Sequence, residues 1–588
     1  MLIQNSGSVN PSDETGKVFI FVNMNRRNFL LAASATAGSV FLPIPGCSSF
    51  GTQIPDNSEF SVDAVVIGGG MGGCASALAL CRNGLKVIMT EETDWIGGQV
   101  SQQGVPPDEH SWIETHGAPA SYRDYRNRVR DYYKRNYPLT RIARNRTNLN
   151  PGDGSVSRIC HEPRVAVAVL YEMLQPYIAA GQLQIILNYK PVKGDVSGDE
   201  VKAITVAHRY TNNKIILTAP YFVDATETGE LLPLTKTEYV KGTESRLQTK
   251  ELHAPEKGNP DNHQAFTLCF AMDYQEGKDF VEDKPEQYDY WSQYIPSLTP
   301  AWSGKLLDLS YSDPKTLQPK KLGFDPRGLS TGKALNLWLY RRIVHRNNFK
   351  RGTISNDVTL VNWPQNDYMM GNLIDVSEKE FNETIAGARQ LNLSLLYWLQ
   401  TEAPRPDGGQ GWRGLRLRKD IMGTEDGMAM YPYVRESRRI KAEFTVLEEH
   451  VGAENRKMVA GEIEGIKSAS FYDSVGTGYY HIDLHPSNMG DNYIDFPSLP
   501  FQIPLGSLLP QRVNNLFPAC KNIGTTHITN GCYRLHPVEW SIGEAVGMLI
   551  TYASRKKVVA RAVRADNNLL EDFQKTIRSQ GLETHWPQ

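Results

Sequence analysis

After Ser61 the chain presents a short apolar run, Val62-Asp63-Ala64-Val65-Val66-Ile67, that leads straight into Gly68-Gly69-Gly70-Met71-Gly72-Gly73. An apolar run closed by glycines predicts a buried strand and a tight turn. Cys74, Ala77, Leu78 and Cys81 then recur at i, i+3, i+4 and i+7, which predicts a helix with those four on its core face and Gly84 as its left-handed stop. A second strand is expected over Lys86 to Thr90. Further on, Leu183 to Tyr221 reads as a strand meander, and Phe222-Val223-Asp224 as an apolar strand ending in a small-residue turn at Ala225 and Thr226. Asn515 to Ala519 repeats that pattern. Ile542, Ala545, Val546, Leu549, Ile550 and Ala553 keep one helical face, with Pro537 placed for a first turn. The expected class is α/β, with a Rossmann-like nucleotide domain.

The glycines carry chemistry because of where they fall. Gly68 suits the turn, Gly70 lets backbone approach a pyrophosphate, and Gly73 permits close packing of helix on strand. Glu91 follows Gly70 by 21 positions, the spacing of the acid that accepts hydrogen bonds from an adenosine ribose, with Glu92 as the neighbour if the register slips. Gly409-Gln410-Gly411-Trp412-Arg413-Gly414 fits the same glycine pattern but follows a Pro-rich loop, so it is discarded. Gly97, Gly98 and Gln99, directly after the ribose acid, offer a second close approach to a cofactor.

Composition narrows the partners. The 63 basic and 65 acidic side chains give a net charge of −2, so no overall positive field attracts nucleic acid. Seven scattered cysteines without a CxxC pair give neither a disulfide framework nor a metal site. At the front, Arg26-Arg27 precedes the apolar stretch Phe29 to Leu42, which is too short to span a bilayer and resembles a twin-arginine export signal. Export outside the cytoplasmic membrane is expected, with a chance pair before a membrane anchor or an ordinary secretory signal as the alternative. Met24 competes with Met1 as the start. Ile44-Pro45-Gly46-Cys47 resembles a lipobox, which makes Cys47 a candidate lipid anchor.

The segments from about Asp63 to about Ser554 resemble the FAD-dependent oxidoreductases of the glutathione-reductase-like superfamily, specifically a bacterial family distantly related to fumarate-reductase flavoproteins. The resemblance rests on the glycine segments and on Pro106-Pro107-Asp108-Glu109-His110, Ser157 to Arg164, Asn362-Trp363-Pro364-Gln365-Asn366-Asp367-Tyr368, Arg435-Glu436-Ser437-Arg438-Arg439 and Asp483-Leu484-His485-Pro486. It implies FAD, redox chemistry and a small-molecule substrate, with the electron acceptor unidentified. It also implies a nucleotide domain built from 60–105, 155–235 and 495–560, after a signal and linker over 1–58. Residues 106–154 would be an insertion, 236–494 a mixed α+β substrate cap, and 561–588 a tail. The segment after Gly98 lacks the histidine that carries covalent flavin in succinate dehydrogenase, so FAD is expected non-covalently, held by Gly68, Gly70, Gly73, Glu91, Gly97, Gly98, Gln99, Ala225, Thr226, Arg534, Gly543 and Gly547.

Oxidation by a flavin needs a base for the substrate proton. Asp483 and His485 share a face if their segment is extended, and are the expected catalytic pair. Arg435 and Arg438 are expected to hold a carboxylate or hydroxyl-rich substrate, or else to form internal salt bridges. Asp108 to His110 are placed at the flavin entrance or in an exposed turn, His527 beside the flavin, and Cys160 in the core. A dehydrogenase or oxidase is the leading function. A non-redox flavoenzyme, or a flavin-binding protein without turnover, stays open.

Overall fold

The protein is described by a computed structural model over residues 54–461 and 464–587. Arg26-Arg27, the stretch Phe29 to Leu42, Cys47 and the choice between Met1 and Met24 lie outside the described residues. The glycine-bounded apolar run forms strand β1 (Ala64–Ile67), followed by helix α1 (Met71–Arg82) and strand β2 (Val87–Glu91). Helix α2 (Pro163–Ala179) leads into β3 (Leu183–Leu187), β4 spans Tyr221–Asp224, β5 spans Leu516–Pro518, and α3 is His536–Lys556. The five strands lie side by side in the order β5-β4-β1-β2-β3, every pair parallel.

Parallel sheets are covered on both faces, so their strands lose the in-out alternation of a half-wet sheet. All four residues of β1 and all five of β2 are accordingly buried. One expected strand changes place. Leu183 to Leu187 does not start the meander but pairs with β2, in register from Val87 opposite Leu183 to Glu91 opposite Leu187. The meander proper is Tyr189–Ser197, Glu200–His208 and Lys214–Thr218, an antiparallel set extended by Ser58–Ser61. A nearly continuous strand signal hid a sheet change at Asn188, which sits at φ 66° between the two.

Helices α1 and α3 pack unusually closely. A Cβ on Gly543 would collide with the carbonyl of Gly72, and one on Gly547 would stand 2.7 Å from that of Ser76. Leu549 and Ile550 of α3 are fully buried, each burial stabilising by about 2 kcal/mol. Between the nucleotide segments, a four-stranded antiparallel sheet is built from Arg342–Val344, Val358–Val361, Phe270–Tyr274 and Leu415–Leu417. The long helix Glu378–Thr401 lies in the same stretch of chain, opened by Ser377 and Glu380 in a reciprocal cap. The discarded glycine motif, residues 409–414, is loop before the strand Leu415–Leu417. Among the described residues, no helix is long and apolar enough to cross a membrane.

Candidate functional site

The C-terminal ends of β1, β2 and β4 open on a crevice lined by Gly68, Gly70, Glu91, Glu92, Thr226 and Glu227, among others. Ligands of open α/β sheets bind at this kind of edge. Gly68 takes φ 101°, and a side chain there would collide with Ala225 O. A Cβ on Gly73 would meet Gly68 O, whereas Gly70 has nothing closer than Glu227 Oε1 at 3.3 Å. Gly97 donates its N–H to Gly69 O at 2.7 Å, and Gly98, at φ 56°, brings its backbone against that of Gly70. Both glycine segments therefore meet at one point of the crevice, with the N-terminus of α1 behind them.

Glu91 closes the crevice. Its carboxylate accepts from Gly69 N (3.0 Å), Thr93 N (2.9 Å), Thr93 Oγ1 (2.9 Å) and Gln102 Nε2 (3.0 Å). Burial, seconded by Glu92, pushes its pKa up to about 7 against those hydrogen bonds. Thr226 turns inward, its hydroxyl donating to Asp224 Oδ1 at 2.6 Å. Glu227 pairs with Lys521 at 2.5 Å, and Lys521 also lies 3.4 Å from Glu539. Glu227 and Lys521 lay outside the candidates read from the sequence. A buried lysine 294 residues from its partner leaves no local pattern to find.

FAD fits this arrangement. Gln99 donates its amide to Arg534 O at 3.0 Å, tying the second glycine segment to the loop before α3. Gln99 Oε1, Gln102 Oε1 and both amide atoms of Gln103 are buried without protein partners. Buried polar atoms ordinarily find partners, and a dinucleotide with hydroxyl, phosphate and ring-edge groups offers donors and acceptors of the kind they lack. Gly543 and Gly547 are corrected: their close approach is made to α1, not to a cofactor. His527 Nδ1 meets Glu436 Oε1 at 2.5 Å, and its backbone N–H donates to Glu244.

The second constellation gathers residues from distant segments around His485. Its Nδ1 lies 2.5 Å from Asp367 Oδ2, and its Nε2 is 3.6 Å from Asp483 Oδ2. Arg534 donates to Asp483 Oδ2 at 3.0 Å and to Tyr433 OH at 2.8 Å, while Asp108 pairs with Arg341 at 3.4 Å. Burial opposes ionisation of Asp367, but Arg435 and His485 outweigh it and hold the carboxyl below its usual range. Asp483 is held lower still, burial being overcome by His485, Arg534 and His481. The imidazole is thus clamped between two carboxylates. Asp367 is 1% exposed and the His485 side chain 19%, so only the histidine side of the pair can be reached.

Arg435 donates to Ala265 O at 2.7 Å and pairs with Asp367 at 3.0 Å, while Arg438 pairs with Asp375 and donates to Thr228 O, both at 2.8 Å. The expectation that these arginines clamp a substrate gives way to the internal-bridge alternative, because each guanidinium already has buried partners. Of the Pro106 to His110 segment, Asp108 joins the site and also donates its backbone N–H to His536 Nδ1 at 3.1 Å, while Glu109 binds Arg126. Cys160 is fully buried, and burial pushes its thiol up to about 12. Among the described residues, no cluster of His, Cys, Asp and Glu could hold a metal ion.

A family model described as FAD dependent oxidoreductase matches residues 63–577. No curated protein matches the chain. Among solved structures, L-proline dehydrogenase from P. horikoshii aligns over 33% of this chain and 26% of its own, at 16% identity and a TM-score of 0.17. The anhydrotetracycline hydroxylase OxyS from Streptomyces rimosus aligns over 88% of this chain and 66% of its own, at 9% identity and a TM-score of 0.28. A variant of E. coli quinol fumarate reductase aligns over 89% and 74%, at 10% identity and a TM-score of 0.30.

Proposed function

The chain belongs to the FAD-dependent oxidoreductase family, and from that premise we propose that it dehydrogenates a small, hydroxyl-bearing organic molecule with His485 as the base. The observation that carries this reading is the reachable imidazole whose Nδ1 is bound to a buried carboxylate. Bound FAD would supply the two-electron acceptor for the hydride. Gly68, Gly70, Gly97, Gly98, Glu91 and Gln99 are the residues proposed to hold it, without a covalent bond.

The remaining work falls to side chains. Arg435 keeps Asp367 ionised, and Asp367 fixes the proton of His485 on Nδ1, which leaves Nε2, 3.6 Å from Asp483 Oδ2, as the nitrogen with the lone pair. That lone pair takes the hydroxyl proton as the carbon–hydrogen bond gives up its electron pair. Asp483 then faces a newly cationic imidazole and stabilises it, while Arg534 holds Asp483 in place. A separate electron acceptor restores the oxidised state.

His485→Ala should retain FAD and the fold while slowing flavin reduction by about 10² to 10⁴-fold, the worth of a positioned base. Stopped-flow bleaching at saturating substrate reads this directly, and a near-normal rate in a well-folded variant removes His485 from the mechanism. If substrate turns over without bleaching, the enzyme is a non-redox flavoenzyme instead. We further propose that Arg26-Arg27 route the protein outward in the twin-arginine manner, and that Cys47 is its lipid attachment point.

A further inference from the structure

An exposed aromatic platform lies along the chain from the proposed base. Trp112 is 41% exposed, and its ring stands 5.3 Å from Tyr479, 5.8 Å from Trp586 and 6.2 Å from His116, with which it is stacked. His110 lies beneath, 5.3 Å from Trp586, and burial lowers its pKa to about 4, so the floor of the platform is uncharged. Isolated surface tryptophans are ordinary, but four other rings gathered about one are not.

The platform is held in place before any ligand arrives. The carbonyl of Trp112 accepts from Thr115 N, Thr115 Oγ1 and His116 N, and the neighbouring Ile113 is fully buried. Trp586 donates its indole N–H to Phe501 O at 2.9 Å, and Glu583 ties the tail to Gly117 N and Arg123. Such rigidity lowers the entropic cost of binding.

Two chain segments connect it to the base. Asp108, paired with Arg341 in the catalytic constellation, is separated from Trp112 by at most about 14 Å of extended chain. From the other side, Tyr479 is followed by Tyr480 and His481, whose rings are 4.3 Å apart, and then by Asp483 and His485. Six residues from Tyr479 to His485 thus keep the platform within about 20 Å of extended chain from the imidazole. The platform's chemistry suits a ligand with apolar ring faces, because aliphatic C–H groups pack on the negative face of an indole.

We infer that Trp112, with Tyr479 and Trp586, forms a sugar-ring subsite, so that the substrate is a neutral oligosaccharide whose reacting hydroxyl reaches His485. The direction of the chain of sugars rests on the reading of His485 as base; the platform itself does not. FAD-loaded protein titrated with neutral trisaccharides of glucose, mannose and xylose should show saturable calorimetric binding by at least one. Trp112→Ala should weaken that binding by about tenfold or more with an unchanged melting temperature. No binding by any trisaccharide, or equal affinity in Trp112→Ala, overturns the subsite. A trisaccharide that binds through Trp112 yet never bleaches the flavin keeps the subsite and sinks the dehydrogenase reading. Bleaching by a trisaccharide whose affinity ignores Trp112→Ala does the reverse.

Discussion

His485 illustrates what single residues could and could not announce. Its neighbour Asp483 sits two positions away, and the i, i+2 spacing brings both to one place on the strand Ile482–Leu484 and its continuation. Asp367, which lies closer to the ring, is 118 residues distant and was legible only as part of a family motif. The same limit applies to Arg435, whose exposed-looking charge cluster is in fact committed to buried partners. Glu436 and His527 give a testable pair. Burial resists both charges, yet His527 holds Glu436 down at about 2 while Glu436 holds the His527 pKa above its ordinary value. The carboxylate's share of stability is present above its unfolded pKa of about 4.3 and is lost as pH falls towards about 2. The histidine's share is complete below about 6.5 and is lost as pH rises through its raised folded value. His527→Asn should therefore be destabilised by about 3–5 kcal/mol at pH 6, with a smaller deficit in alkaline buffer. Melts of the FAD-loaded pair across pH measure it, and a deficit that does not shrink with pH refutes the coupling.

At the scale of elements, what was readable was local. The strand, glycine turn, helix and second strand from Ala64 to Glu91 follow from short-range periodicity, and their observed bounds differ from the expected ones by one or two residues. The strand Leu183–Leu187 was misplaced because pairing partners, unlike pleats, leave no trace in a segment's own residues. Gly543 and Gly547 failed for the same reason: a glycine announces close approach without naming what approaches. Their partner is α1, which makes the α1–α3 crossing sensitive to one methyl group. Gly543→Ala should cost about 3 kcal/mol or more, since neither carbonyl nor helix can give way in a packed core. Calorimetry should record a lower melting temperature together with loss of FAD on purification, because α1 also presents its N-terminus to the crevice. Unchanged stability would mean the helices can slide apart freely.

For the molecule as a whole, the nucleotide sheet draws on Ala64–Ile67 and on Leu516–Pro518, so its completion depends on contacts of long sequence separation. Such pairings are slow to form. A cofactor bound across segments so far apart gives a reason for moving the protein only after folding, which is what a twin-arginine signal would accomplish. Arg26→Lys with Arg27→Lys should then leave folded, yellow protein in the cytoplasm. Fractionation followed by flavin absorbance tests this, and export undiminished by the double change argues for the general secretory route.

The position of β5 at one edge of that sheet carries a consequence for the ribosome. β4 has β1 on one side and β5 on the other, and β5 is synthesised long after β4. From the synthesis of Asp224 until that of Leu516 the outer edge of Tyr221–Asp224 has no partner from its own chain. A bare, largely apolar strand edge is a template for other chains. The growing polypeptide is thus most vulnerable to its own polysome neighbours until Leu516–Pro518 emerges, and any truncation upstream of that strand leaves the edge bare for the lifetime of the product.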